Sequence, residues 1–176
     1  MHIPAYLQCT KAVLTGFGLL PSNLEVAPAA TARLGNWTVN RVPIGDRTAF
    51  LFMSDRTYLN FPILEGRNKV DLQDMPGFLQ HGLTQLLSAF SVPESSIKDA
   101  IAEVEVIALT RATNRSSLAM HAAIVDDYAH ILQGLGGMGT HNLSEAIARV
   151  NDLPRRKLEW STSREATLAI LTAGAA

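Results

Sequence analysis

The sequence predicts an α+β domain: an antiparallel β meander with additional strands, packed against two main amphipathic helices. Three observations carry that expectation. Residues 36–64 alternate apolar and polar side chains between turn-forming clusters, the two-residue period of strands. Residues 71–92 and 116–133 instead space their apolar side chains by three and four, the helical period. The 176 residues fit one domain of ordinary size around one core, so the range 1–176 reads as a single domain with a loosely ordered tail from about residue 164.

Taken in order, residues 3–8 alternate loosely around Tyr6 and read as a strand, with Pro4 pushing it toward a sheet edge. Thr10 is placed to cap a short helix over 11–17, closed by Gly16 and Gly18. Residues 20–34 are rich in Pro, Ala, Ser and Asn and read as loop, with at most one helical turn. Trp37, Val39 and Arg41 then share one face of a strand, with Thr38, Asn40 and Val42 on the other, before a turn over 43–47. In the next strand, 48–53, Phe50 and Phe52 oppose Ala49, Leu51 and Met53; apolar residues on both faces predict a central strand covered twice. Residues 54–56 turn the chain into a third strand over 57–64, where Pro62 indicates an edge or a strand end.

The helix over 71–92 carries Leu72, Met75, Leu79, Leu83, Leu86, Leu87 and Phe90, with Gly82 a weakness in its middle. A shorter helix opens at Pro93 and carries Ile97 and Ile101, and residues 103–109 alternate as a fourth strand. The helix over 116–133 lays Leu118, Ala122, Val125, Ala129 and Leu132 along one stripe flanked by His121 and Tyr128. Four glycines in residues 134–139 end it, and a helix over 143–150, capped by Thr140 or Asn142, stops before Pro154. The segment from Arg155 holds Trp160 and the apolar Leu168, Ile170 and Leu171, and is open to a final strand or helix.

A net charge of −1 gives no bulk electrostatic reason to expect nucleic acid or an anionic membrane, although a local basic patch stays open. Cys9 is the only cysteine, which excludes an intramolecular disulfide and suits a reducing compartment as a structural thiol. The first residues lack the basic and long apolar stretches of a signal peptide, and no apolar run reaches the ~18 residues of a membrane span, so a cytoplasmic protein is expected.

Chemical motifs are sparse. The glycines of 134–139 follow a helix and lack the Lys-Ser/Thr ending of a phosphate loop, so they read as a linker. No metal or other cofactor is expected: His121 and His130 lie about 13 Å apart along one helix, and no Cys pair or His-Glu-x-x-His pattern occurs. Ser116 and Ser117, outside any nucleophile elbow, read as helix caps. Arg111 and Arg115 stand apart. They bracket Thr113-Asn114 at a helix N-terminus, where two guanidinium groups and the positive end of the helix dipole suit a phosphate, a carboxylate or an acidic partner. The competing reading is that Arg115 pairs with a neighbouring carboxylate and fixes the strand-to-helix corner.

Several short motifs resemble a known family. Thr10-Lys11 after an opening strand, Gly35-Asn36-Trp37-Thr38-Val39-Asn40, Phe50-Leu51-Phe52 with Thr57, Thr113-Asn114-Arg115-Ser116-Ser117-Leu118 and residues 143–154 occur in the order of an uncharacterised bacterial domain of unknown function. That family has an Asn-Trp-His-Ala-Asn-like strand and a later Asn-Arg-Ser-Val-Leu-Gly-Ser-Met-Asn-Asp-like segment. Here Ala119-Met120-His121-Ala122-Ala123 replaces the end of that segment, which puts any role of its Asn-Asp pair in doubt. The resemblance brings no activity with it. The expectation is a non-enzymatic binding or accessory module that recognises a protein partner or a small anion through Arg111, Asn114, Arg115, Ser116, Trp37 and Asn40. Two alternatives stay open. One is a small hydrolase or nucleic-acid-processing enzyme using His121 or His130 with Asp126 and Arg115. The other is an oligomeric interaction protein, possible homo-oligomer contacts being offered by the apolar tail.

Overall fold

A computed structural model describes residues 3–173, residue 140 by its backbone alone. Five strands, β1 (Ala5–Cys9), β2 (Trp37–Ile44), β3 (Arg47–Ser54), β4 (Asn60–Leu64) and β5 (Ile107–Arg111), form one sheet in the order β4-β3-β2-β1-β5. Six helices accompany it: α1 (Lys11–Gly16), α2 (Met75–Ala89), α3 (Glu94–Glu105), α4 (Arg115–Gly134), α5 (Thr140–Asn151) and α6 (Ser163–Thr172). The class is α+β, but the sheet is mixed: β2, β3 and β4 are antiparallel neighbours, whereas β1 runs parallel to both β2 and β5.

The two sheet faces follow from the side-chain alternation along β2 and β3. Trp37, Val39, Phe50 and Phe52 face a core completed by Leu79 and Leu83 of α2 and Ile97 and Val104 of α3. Val42, Ala49, Leu51 and Met53 face Ile124, Tyr128 and Leu132 of α4 and Ala146 and Val150 of α5. β3 is thus covered on both sides, as its two apolar faces predict. The β2–β3 turn is two residues, with Gly45 at φ +61°, as a tight hairpin requires.

Several expectations are corrected. β1 is an interior strand despite Pro4, because the proline precedes the ladder and removes none of its donors. Residues 103–105 are the last turn of α3, since Ile97, Ala100 and Val104 bury one helical face; β5 starts at Ile107. The buried face of α4 is Ser117, His121, Ile124, Tyr128 and Leu132, all but Leu132 one position before the expected stripe, and Leu118 is exposed. Gly139 precedes α5, and the Asn142 side chain donates instead to the carbonyls of Leu135 and Gly137. Within the expected loose tail, residues 164–172 belong to a helix: Thr162 and Glu165 form a capping box for α6, which buries Ser163, Thr167 and Leu171, and residues 174–176 lie outside the described residues.

The outer edge of β4 is closed. Asn60 turns its backbone away from β3, donating to Asn151 Oδ1 at 3.0 Å while its carbonyl accepts from Asn151 Nδ2 at 2.8 Å. Two residues on, in the same outward register, Pro62 has no N–H to offer. Among the described residues no helix is long and apolar enough to cross a membrane.

Candidate functional site

The end of β5 and the start of α4 are joined by residues 112–114, and Asn114 supplies the cap: its Oδ1 accepts from the amides of Ser116 at 2.9 Å and Ser117 at 3.3 Å. Capping therefore falls to Asn114, and both serine hydroxyls are free for other partners. The Ser117 hydroxyl donates to Asp55 Oδ1 at 2.9 Å and lies 3.3 Å from Thr38 Oγ1. Asp55 also accepts from Thr38 Oγ1 at 2.9 Å and from Gln8 Nε2. One carboxylate thereby ties β1, β2, the turn after β3 and the first turn of α4 together. Burial raises the Asp55 pKa, opposed by the hydrogen bonds from Ser117, Thr38 and Gln8.

One turn along α4, His121 is 0% exposed, and neither ring nitrogen makes a well-formed hydrogen bond. Burial depresses its pKa to about 4, although the nearby Thr38 backbone pulls the other way. It is a neutral core imidazole, sealed from solvent. His130 and Asp126 lie on exposed positions of α4, and His130 is about 22 Å along the axis from Arg115, so the alternative grouping of His130 with Arg115 does not assemble.

A second element meets this corner from far along the chain. Residues 155–162 form a closed loop: Arg155 N donates to the Ser161 carbonyl at 2.9 Å, Trp160 N to the Arg155 carbonyl at 3.0 Å, and Pro154 bridges to Thr162. Arg155 anchors it, its guanidinium donating to Asp127 of α4 at 2.6 Å and to the Val150 carbonyl at 3.3 Å. Lys157 reaches the other way and donates from Nζ to the Ser116 hydroxyl. Glu159 and Trp160 both lie in left-handed backbone, at φ 54° and 67°, and the indole is 68% exposed.

Arg115, Ser116, Arg156 and Lys157 are all exposed here. Some basic side chains are ion-paired, Arg33 with Glu103, Arg41 with Glu65 and Arg155 with Asp127 among them, whereas Lys11, Arg47, Arg56, Arg67 and Lys69 are not, among the described residues. Arg111, Arg115, Arg156 and Lys157 have no ion pair among the described residues. The competing reading of Arg115 as half of a carboxylate pair is thus not what the structure contains.

The remaining expected residues separate. Arg111 pairs in register with Cys9, whose side chain belongs to the α2/α3 core, so it flanks the 112–114 loop from the face opposite α4; its Nε is buried without a partner. Asn40 accepts from the Thr10 hydroxyl at 2.7 Å and braces the β1–α1 corner. Trp37 is 0% exposed and packs 6.2 Å from the Phe61 ring, which puts it in the core and off any recognition surface. From sequence, the basic cluster Arg155-Arg156-Lys157 after Pro154 reads as an exposed turn able to widen a positive surface, whereas Trp160 carries no site signal; the proximity of the cluster to Arg115 is purely tertiary. Among the described residues no group of three or more His, Cys, Asp and Glu side chains gathers.

No curated protein and no solved structure matches the chain. A family profile does match, over residues 6–166, and spans β1 through the first turn of α6 with the whole corner inside it. The chain therefore belongs to the family described as Domain of unknown function (DUF6933).

Proposed function

We propose that this chain is a non-enzymatic binding module that recognises an anionic group at the corner formed by the start of α4 and the 155–162 loop. The observation that carries this reading is the Lys157–Ser116 bond, which brings the loop of the exposed Arg156 and Lys157 to the helix start at the exposed Arg115, none of the three ion-paired among the described residues. Arg111 flanks the 112–114 loop from the opposite sheet face, with its Nε buried, and stands apart from these three. Asn114 and the first free amides are committed to the cap, so recognition rests on side chains, and Ser116 positions Lys157 beside Arg115. Two carboxylates drawn against the corner are already engaged: Asp55 is half-buried and accepts from three donors, and Asp127 pairs with Arg155. Glu159 is exposed on the loop itself, between Lys157 and Trp160.

The test is binding of inorganic polyphosphate followed through the backbone amide shifts of residues 114–118. The reading expects saturable shifts that Arg115→Ala weakens by about tenfold or more, with folding intact, since one charge-assisted contact contributes roughly 1.5–3 kcal/mol. Shifts of equal size and affinity in the variant would sink it.

A further inference from the structure

We infer that the anionic partner of this corner is a single-stranded nucleic acid, with one base stacked on the Trp160 indole and the neighbouring phosphates held by Arg115, Arg156 and Lys157. This rests on the anion-recognising reading and adds to it the class of ligand. Two independent features point the same way.

The first is the display of Trp160. Tryptophan is among the largest apolar side chains, and leaving it 68% exposed forgoes most of its burial energy. The backbone that presents it is costly as well. Glu159 and Trp160 are consecutive non-glycine residues with positive φ, a conformation that persists only where surrounding contacts over-determine it. Those contacts are present: the Pro154–Thr162 bridge, the Arg155–Ser161 backbone bond and the half-buried Arg155–Asp127 pair lock the loop on both sides of the indole. The loop therefore holds a flat, solvent-facing aromatic surface in a fixed place.

The second is what surrounds it. Arg156 and Lys157 lie on the same closed loop, and the Lys157–Ser116 bond brings Arg115 to it from α4. A cationic track beside an aromatic platform matches the repeating pattern of a single strand, in which phosphates alternate with bases that stack without regard to sequence. An acidic peptide offers charge but no planar group for the indole, so it uses half of the surface. The net charge of −1 does not oppose this, because local charge decides: Arg115, Arg156 and Lys157 outnumber the one exposed carboxylate of the loop, Glu159.

The experiment titrates the full chain with a short oligothymidylate, with inorganic polyphosphate and with a polyglutamate peptide, reading intrinsic fluorescence and amide shifts. The other tryptophan, Trp37, is 0% exposed and provides an internal reference. Expected is quenching of the exposed indole by the oligonucleotide, tighter binding of it than of polyphosphate, and a loss of about five- to a hundredfold in Trp160→Ala that Trp160→Phe largely restores. Affinity should fall with salt at a logarithmic slope of about −2, three phosphate contacts at about 0.7 each. If polyphosphate binds as well as the oligonucleotide and Trp160→Ala changes nothing, base stacking is wrong while the anion corner stands. Base stacking is equally wrong if polyglutamate binds tighter than the oligonucleotide. If none of the three binds, both readings fall together.

Discussion

His121 and Asp55 sit on either side of Thr38, and burial drives their pKa values in opposite directions. The imidazole has an ordinary value of 6.5 and a folded one of about 4, so as pH falls between these the unfolded chain takes up a proton that the folded chain refuses. Stability from His121 is therefore complete above 6.5 and is lost toward pH 4, by roughly 3 kcal/mol for a pKa difference of about two and a half. Asp55 works the other way. Its raised value means that the folded state binds the proton more readily, so its contribution is greatest in acid and declines as pH rises through the raised value. Urea unfolding of His121→Leu across pH 4–7 should lose the acid-side decline and leave the opposite slope of Asp55. A decline of unchanged size in that variant would exclude His121 as the titrating group. These residues are hard to read from sequence for a common reason. Ser117, His121 and Tyr128 are polar by type, yet they form the buried face of α4 because Asp55, Thr38 and Asn60 meet them or lie against them. A pattern built on apolar side chains consequently shifts the helix by one position.

At the scale of elements, the strands are the most legible, because a period of two over β2 and β3 assigns every side chain to a face without knowledge of partners. Residues 103–105 mark the limit: over so short a window, the last turn of a helix and a strand both alternate. Gly82 marks another. It reads as a weakness of α2, but a Cβ there would stand 2.1 Å from Phe61 Cε2, so the glycine is what lets the helix pack directly on β4. Gly82→Ala should therefore destabilise by about 1–3 kcal/mol in chemical denaturation despite alanine's better helix propensity, since the ring must move or the helix lift. A stabilised variant would mean that the packing is looser than this contact implies. Asn151 makes a comparable prediction for the sheet edge. Its side chain satisfies both backbone groups of Asn60 and the Ile147 carbonyl, all in a buried setting. Asn151→Ala should cost about 1–3 kcal/mol and, by opening the edge of β4, promote concentration-dependent association. Light scattering would detect it, and a variant that stays monodisperse would argue that Pro62 suffices to guard the edge.

For the molecule as a whole, what escapes the sequence is long-range pairing. β1 meets β5 a hundred residues later, Ala5 opposite Ile107, and such parallel partners leave no local turn signal. The corner likewise depends on Lys157 reaching Ser116. The same holds for α6, whose segment reads as a loosely ordered tail but braces the site from behind. Thr167 donates to Thr57 at 2.9 Å, Thr57 to Ser54 at 3.2 Å and Ser54 to the Leu34 carbonyl at 2.7 Å, so α6 supports the very turn that carries Asp55. It also buries Leu171 in the α2/α3 core and, through its Thr162 cap, closes the loop that displays Trp160. Ending the chain after Ser161 should therefore cost at least about 2 kcal/mol, the burial of one leucine alone, and loosen the Trp160 loop. Thr167→Val should cost only about 1 kcal/mol and leave the loop closed, because it removes one hydroxyl and keeps the helix. Denaturation together with the fluorescence anisotropy of Trp160 separates the two variants. If the shortened chain keeps full stability and a rigid indole, α6 is an appendage, and the loop is held by Arg155 and Asp127 alone.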